Sequence, residues 1–364
     1  MSKPFDIKIN VKSYTARKDF ISSSLSIDFS GKDIYPKLIN TISRVASNGL
    51  PTYAFPTQLI NIEQNTCAAY DNQYMQLRLS NLPIYDVSLD LYHLHDKYWK
   101  NVNYADLNRE KAPQEKDIKI YLNAHNNSDQ IQNITTNDIK MYVDGEEVNN
   151  YDKEYPILLV KLRPNDSFKF TMSAVLGVGE LHTIWRSSVN SFAPYEINKD
   201  DTYICNLNLN GNGLETEYVI LNKSVKHIIK RLEDIKSQID KMAKEKEIKN
   251  DSKLSLILDG EDHTMGEIIN YELQSHPNLN SGMCKPDLLI KSVTFKLEAQ
   301  EPSKMIKSIL ECIDTLIEKY KYILKLTEEL KEDKKEVKKE IKRAETKKES
   351  KKGSKKGSKK GSKK

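Results

Sequence analysis

Apolar residues recur along this chain with two alternating periods. Phe5, Ile7, Ile9 and Val11 alternate with polar neighbours, and Leu25, Ile27 and Phe29 repeat the pattern, which predicts two strands with one buried face. Leu38, Ile39, Ile42, Val45 and Ala46 then share one face of a helix, with Asn48-Gly49 as its stop and Pro51 barring continuation. Much later Tyr203, Cys205, Leu207 and Leu209 alternate, and a long helix follows with Val225, Ile228, Ile229, Leu232, Ile235, Ile239 and Met242. A second, shorter pass repeats this order. Leu254, Leu256 and Leu258 alternate up to a turn at Asp259-Gly260, and Met265, Ile268, Ile269 and Leu273 predict a helix over 264–275. Val293, Phe295 and Leu297 alternate again, and Met305, Ile306, Ile309, Leu310, Ile313, Leu316, Ile317 and Tyr320 mark a last long helix.

Strand, helix, strand and long helix therefore occur twice, which predicts an α+β fold with two like units. Residues 1–85 with 186–242 form the first and 254–330 the second. Between them, 86–185 has short strand-like runs such as Ile157 to Leu162, separated by the polar stretches Asn126 to Gln130 and Val143 to Asn150, and reads as a β-rich insert. Residues 243–253 read as an exposed linker, and 331–364, ending in "KKGSKKGSKKGSKK", as a disordered basic tail. A long helix with a broad apolar face is not satisfied by one small sheet, so the two units are expected to pack helix to helix within the chain. Ile42, Val45, Ile228, Ile229, Leu232, Met265, Gly266, Ile269, Ile309, Ile313 and Leu316 are the candidate seam residues.

Charge sharpens the division. The net +5 arises in the tail, where 17 Lys/Arg stand against 6 Asp/Glu; the remainder holds 40 basic and 46 acidic residues and carries no general nucleic-acid footprint. Clustered lysines without aromatics give at best non-specific, salt-sensitive attraction to nucleic acid. No apolar run is long enough to span a bilayer, and none follows a basic start as a signal peptide, so no membrane partner is expected. Cys67, Cys205, Cys284 and Cys312 form no CxxC pair, which argues for a reducing compartment and against a structural zinc site.

Candidate chemistry is sparse. His263 lies at a strand-to-helix corner, "EDHTMGEIINYEL" (261–273), where Asp262 or Thr264 can cap the helix; the expectation is that His263 fastens this turn by hydrogen bonds. Asp259, Glu261 and Asp262 suggest magnesium, yet read more simply as an acidic capping turn. His93 and His95 with Asp96 have no further ligand in view. Gly177, Gly179, His182 and Trp185 form a Gly-x-Gly-x-x-His-x-x-Trp segment without the helix of a phosphate loop. A glycine hairpin whose Trp185 and Arg186 dock a neighbouring subunit is the expectation. "SGK" at 30–32 lacks the upstream glycine of a P-loop.

Several longer stretches add a family likeness. "EDHTMGEIINYEL", "KPDLLIKSVTFKLEAQ" and 302–330 resemble in order the smaller α-like subunit of cellular RNA polymerases, the eleventh subunit of RNA polymerase II. "LINTISRVASNGLPTYAF" (38–55), "NQYMQLRLSNLPIY" (72–85) and "PILLVKLRPNDSFKFTMSAVLGVGELHTIW" (156–185) resemble the larger partner, the third subunit, and the N-terminal region of bacterial α. Together they fall in the right order between residues 38 and 330. Both in one chain resembles the fused α-like subunit of large nucleocytoplasmic DNA viruses. Two departures stand out: no cysteine lies between Cys67 and Cys205, so neither the zinc nor the iron–sulfur cluster of many third subunits is expected, and Leu50-Pro51-Thr52-Tyr53 replaces an acidic-Ile-Pro pattern.

The resemblance implies a non-catalytic assembly subunit of a viral DNA-directed RNA polymerase. It would present a platform to the two largest subunits, bind small subunits, and meet DNA only through the complex. Asp262, His263 and Thr264 would belong to the dimerisation core. No cofactor is implied, and the expected location is the virion and host cytoplasm, with the host nucleus as an alternative. The rival reading is a viral nucleic-acid-binding or virion scaffold protein acting through its tail.

Overall fold

A computed structural model describes residues 5–330 apart from 16–22, 68, 86, 88, 107–108, 199, 212–214, 246 and 288. The basic tail, 331–364, lies outside the described residues. All strand pairings are antiparallel. The first sheet runs in the order Lys8–Thr15, Ser24–Gly31, Tyr203–Gly211, Ser188–Phe192, and Tyr195–Ile197 also pairs with Tyr203–Gly211. Its inner face is the row Leu25, Ile27, Phe29 against Leu209, Leu207, Cys205, all fully buried. The third sheet places Ser292–Ala299 between Lys253–Asp259 and Leu279–Cys284. Its third strand escapes sequence reading because Asn280, Ser281, Gly282 and Met283 show no apolar alternation.

Among the described residues there are five α-helices, α1 (Pro36–Arg44), α2 (Asn72–Ser80), α3 (Glu217–Lys244), α4 (His263–Ser275) and α5 (305–330), and all but α2 cover these two sheets. α1 does not stop as an α-helix at Asn48-Gly49; it widens at Val45 into a π-helical turn reaching Gly49. α3 starts eight residues before Val225, and Ile220 and Leu221 extend its buried stripe.

A single apolar core joins the first and third sheets through α1, α3, α4 and α5. Ile248 is buried in that core, so the segment expected as an exposed linker is anchored at its middle.

A second core has a different N-terminal limit from the expected insert. Tyr53, Phe55, Ile60, Met75, Leu79 and Leu82 pack with Ile118, Phe168 and Phe170, although 51–84 reads with the first unit in sequence. The cause is Ser167–Val178, a twelve-residue strand. One of its edges pairs with both Pro51–Ala54 and Ile60–Asn65, while the other pairs with Ile118–His125. Asp144-Gly145, both at positive φ, closes a tight hairpin between Lys140–Val143 and Glu146–Val148. No described helix is long and apolar enough to cross a membrane.

Candidate functional site

The seam is built from helix termini inward. α1 runs antiparallel to α4: Tyr35 donates its hydroxyl to Glu272 Oε1 at 3.0 Å, and Thr41 Oγ1 donates to the Thr264 carbonyl at 3.4 Å. Lys37 and Glu267 pair between these points at 2.5 Å. α3 and α5 are likewise antiparallel, since Lys236 meets Asp314 at 2.6 Å and Lys226 meets Glu328 at 3.5 Å. Tyr320, fully buried on α5, donates to the Leu38 carbonyl at 3.0 Å and so ties α5 to α1.

Ile42, Val45, Ile228, Leu232, Met265, Ile269, Ile309, Ile313 and Leu316 are all buried in this one core. Ile229 is not interior; it is half-buried at the rim, one residue off the α3 stripe. Gly266 packs where a Cβ would meet Met283 and Val293 at 3.3–3.4 Å, so α4 lies close on its own sheet.

His263 does not fasten its corner. It is exposed as the first residue of α4, and its ring makes no hydrogen bond among the described residues. Asp262 does that work: its carboxylate accepts from the Thr264 backbone N–H at 2.8 Å and from Thr264 Oγ1 at 3.2 Å. The nearer, shorter side chain reaches the orphan N–H without leaving the turn.

Trp185 is likewise not a docking residue. It is buried, its Nε1 donates to the Val175 carbonyl at 3.1 Å, and its ring lies 5.5 Å from that of Tyr104. Gly177 makes room for the indole, since a Cβ there would stand 2.6 Å from it. A Cβ at Gly179 would stand 3.0 Å from the backbone of Ser47 and Asn48, where the Glu180 N–H donates to the Asn48 carbonyl. Gly177-x-Gly179 thus clamps the two cores together. His182 and Arg186 remain on the surface, with His182 Nδ1 accepting from the Ile184 N–H.

At one end of the α1–α4 crossing, a cleft of about 190 Å³ opens where both cores meet, lined by Arg44, His93, Glu180, Arg231, Glu261 and Lys291 among others. Arg231 pairs with Glu261 at 2.5 Å and Lys291 with Glu180 at 2.9 Å. His93 stands edge-on to His227, ring centroids 4.9 Å apart, while His227 Nδ1 bonds the Tyr92 carbonyl at 2.9 Å. Burial pushes His93 down to about 4 and His227 down to about 3, with nearby cations adding to the effect. Burial also pushes the Glu261 carboxyl up to about 7, against the pull of Arg231. Two neutral imidazoles and two ion pairs hold surfaces together; they offer no activated nucleophile. The Cys205 and Cys312 thiols are pushed up by burial to about 11 and about 12, so neither is a thiolate near neutrality. His95 caps a short 3-10 turn through Lys97 N–H, and no group of three or more His, Cys, Asp or Glu is placed to hold a metal among the described residues.

The opposite end of the crossing is closed by a buried cluster that sequence reading missed. Lys319 Nζ lies 2.5 Å from Glu272 Oε1, beside the Tyr35 hydroxyl. The signal was present: Glu272 follows Met265 and Ile269 at i+7 and i+3, a charge on an apolar stripe.

No family model matches the chain. A protein of Acanthamoeba polyphaga mimivirus, provisionally named a DNA-directed RNA polymerase subunit, is 26% identical over 350 residues, spanning 89% of this chain and 94% of that protein.

Proposed function

We propose that this chain is a subunit of a viral DNA-directed RNA polymerase, and within it the α-like, non-catalytic platform on which the two largest subunits assemble. The polymerase assignment rests on likeness to the mimivirus protein along nearly the whole of both chains. The finer role draws its main support from the seam, where α1 with α4 and α3 with α5 run antiparallel through one shared core. Such a seam is what two fused dimerisation units would form. The phosphodiester chemistry then belongs to partner subunits, with DNA met only through the complex. Small polymerase subunits would dock on the same platform, in the virion and host cytoplasm or, alternatively, in the host nucleus.

Affinity purification from infected cells tests this. The tagged chain should bring down the two largest polymerase subunits, identified by mass spectrometry, and deletion of 331–364 should leave them bound. Absence of polymerase subunits from the intact chain overturns the reading. Loss of all partners on deleting the tail favours the rival, a nucleic-acid-binding or virion scaffold protein acting through its 17 basic residues.

A further inference from the structure

The apolar seam has a shortcoming as a recognition surface. Isoleucine and leucine stripes bind one another without regard to which chain carries them, and both halves present such stripes in the same order. Nothing in them tells the other half from a second copy of the same half. The polar contacts at the two ends of the α1–α4 crossing do. Arg231 and Glu261 belong to different halves, and their side chains are 19% and 6% exposed. Tyr35 and Glu272 also belong to different halves, and Lys319 holds the same carboxylate oxygen that Tyr35 does.

We propose that Arg231, Glu261, Tyr35 and Glu272 are specificity determinants that make each half pair with the other rather than with a copy of itself. The proposal rests on reading the halves as paired dimerisation units.

Helix positions supply the argument. Tyr35 is the N-cap of α1 and Asp262 the N-cap of α4, so the two residues correspond. By the same count Ile34 corresponds to Glu261, and Val45 to Glu272. If two second halves paired with this geometry, Glu272 would keep Lys319 but face Asp262 of the copy, a second carboxylate, in place of a tyrosine hydroxyl. Glu261 would also have no Arg231. If two first halves paired, Arg231 would face Ile34 and Tyr35 would face Val45. A two-fold self-pair suffers each mismatch twice. Leaving a buried charge without its partner disfavours a pairing by more than about a hundredfold, whereas replacing both partners by apolar residues is often neutral. The charges therefore penalise the wrong pairs more than they strengthen the right one.

The test uses the full chain with a protease site inserted between Lys249 and Asn250 and cut after folding. The cut protein is unfolded in denaturant and refolded, and native mass spectrometry counts the pairs. Wild type should re-form only the 1:1 pair of unlike halves. The combined variant Arg231→Leu, Glu261→Leu, Glu272→Leu, Lys319→Leu should yield self-pairs approaching the statistical mixture. Self-pairs in wild type, or unlike pairs alone in the variant, would overturn the proposal. If the cut pieces do not recover, intact chains decide. Arg231→Glu should convert monomer to dimer and larger species, and adding Glu261→Arg should restore monomer. No restoration refutes the assignment. Polymerase subunits take no part in either measurement, so a negative result in the co-purification leaves this outcome unaffected.

Discussion

At the scale of single residues, the corner at 261–264 separates Asp262, a candidate cap in sequence, from His263, the expected fastener of the turn. Asp262 caps α4, whereas His263 is exposed and makes no hydrogen bond among the described residues, so His263→Asn or His263→Leu should change stability by less than about 0.5 kcal/mol. Asp262→Ala should cost about 1 kcal/mol, because the Thr264 N–H loses its acceptor. Thermal melting of the three variants distinguishes the roles, and equal losses at both positions would count against the cap. The histidines of the cleft make a pH prediction. Folded His93 binds its proton only below about 4 and His227 below about 3, against 6.5 when unfolded. The unfolded chain therefore binds more protons between those values, and stability falls as pH drops through that window. Glu261, raised from 4.5 to about 7, works in the opposite sense: it favours the folded state on acidification between those values. Two groups oppose one, so the melting temperature should fall from pH 6.5 toward pH 4. The double variant His93→Gln, His227→Gln should flatten that fall, and an unaltered profile would remove the histidines from the account.

At the scale of elements, glycine at 177 records a contact between a strand and an indole. Gly177→Ala places a methyl against Trp185, which is also hydrogen-bonded to Val175, so neither partner can move freely. Overpacking of this kind costs about 1–3 kcal/mol, and Trp185 fluorescence should report the displaced ring. On the long helices, Ile313→Asp buries an unpaired charge at a fully enclosed position. That costs several kcal/mol out of a typical total of about 5–15 kcal/mol, and the variant should be insoluble or lose its cooperative melt. Ile229→Asp, at the rim, should be milder, a ranking that circular dichroism melts can check.

Ser24–Gly31, Tyr203–Gly211, Lys253–Asp259, Ser292–Ala299 and the helices packed on them were legible because each buries one face, and period 2 or 3.6 is then written into the residues, whereas Leu279–Cys284 was not. Leu25, Ile27 and Phe29, or Ile309, Ile313 and Leu316, leave little alternative. Legibility failed where pairing partners are remote. Pro51–Ala54 and Ile60–Asn65 belong with Ser167–Val178, more than a hundred residues away, and no local pattern reveals that. The candidate site divides in the same way. Its apolar residues were readable as stripes, whereas Arg231–Glu261 and Tyr35–Glu272–Lys319 depend on which helix ends meet.

On the scale of the whole molecule, the cut between halves lies in a short segment pinned at Ile248, and the seam joins parts of one covalent chain. A contact between separate proteins obeys mass action and weakens as both are diluted. Here the encounter is intramolecular, at an effective concentration on the order of millimolar for a short tether, whatever the copy number. Dilution should therefore leave the melting temperature of the seam unchanged, which scanning calorimetry across a wide concentration range can verify. Stoichiometry is also fixed at synthesis: every ribosome that completes the chain delivers both halves in equal number, and neither half is ever left without its counterpart.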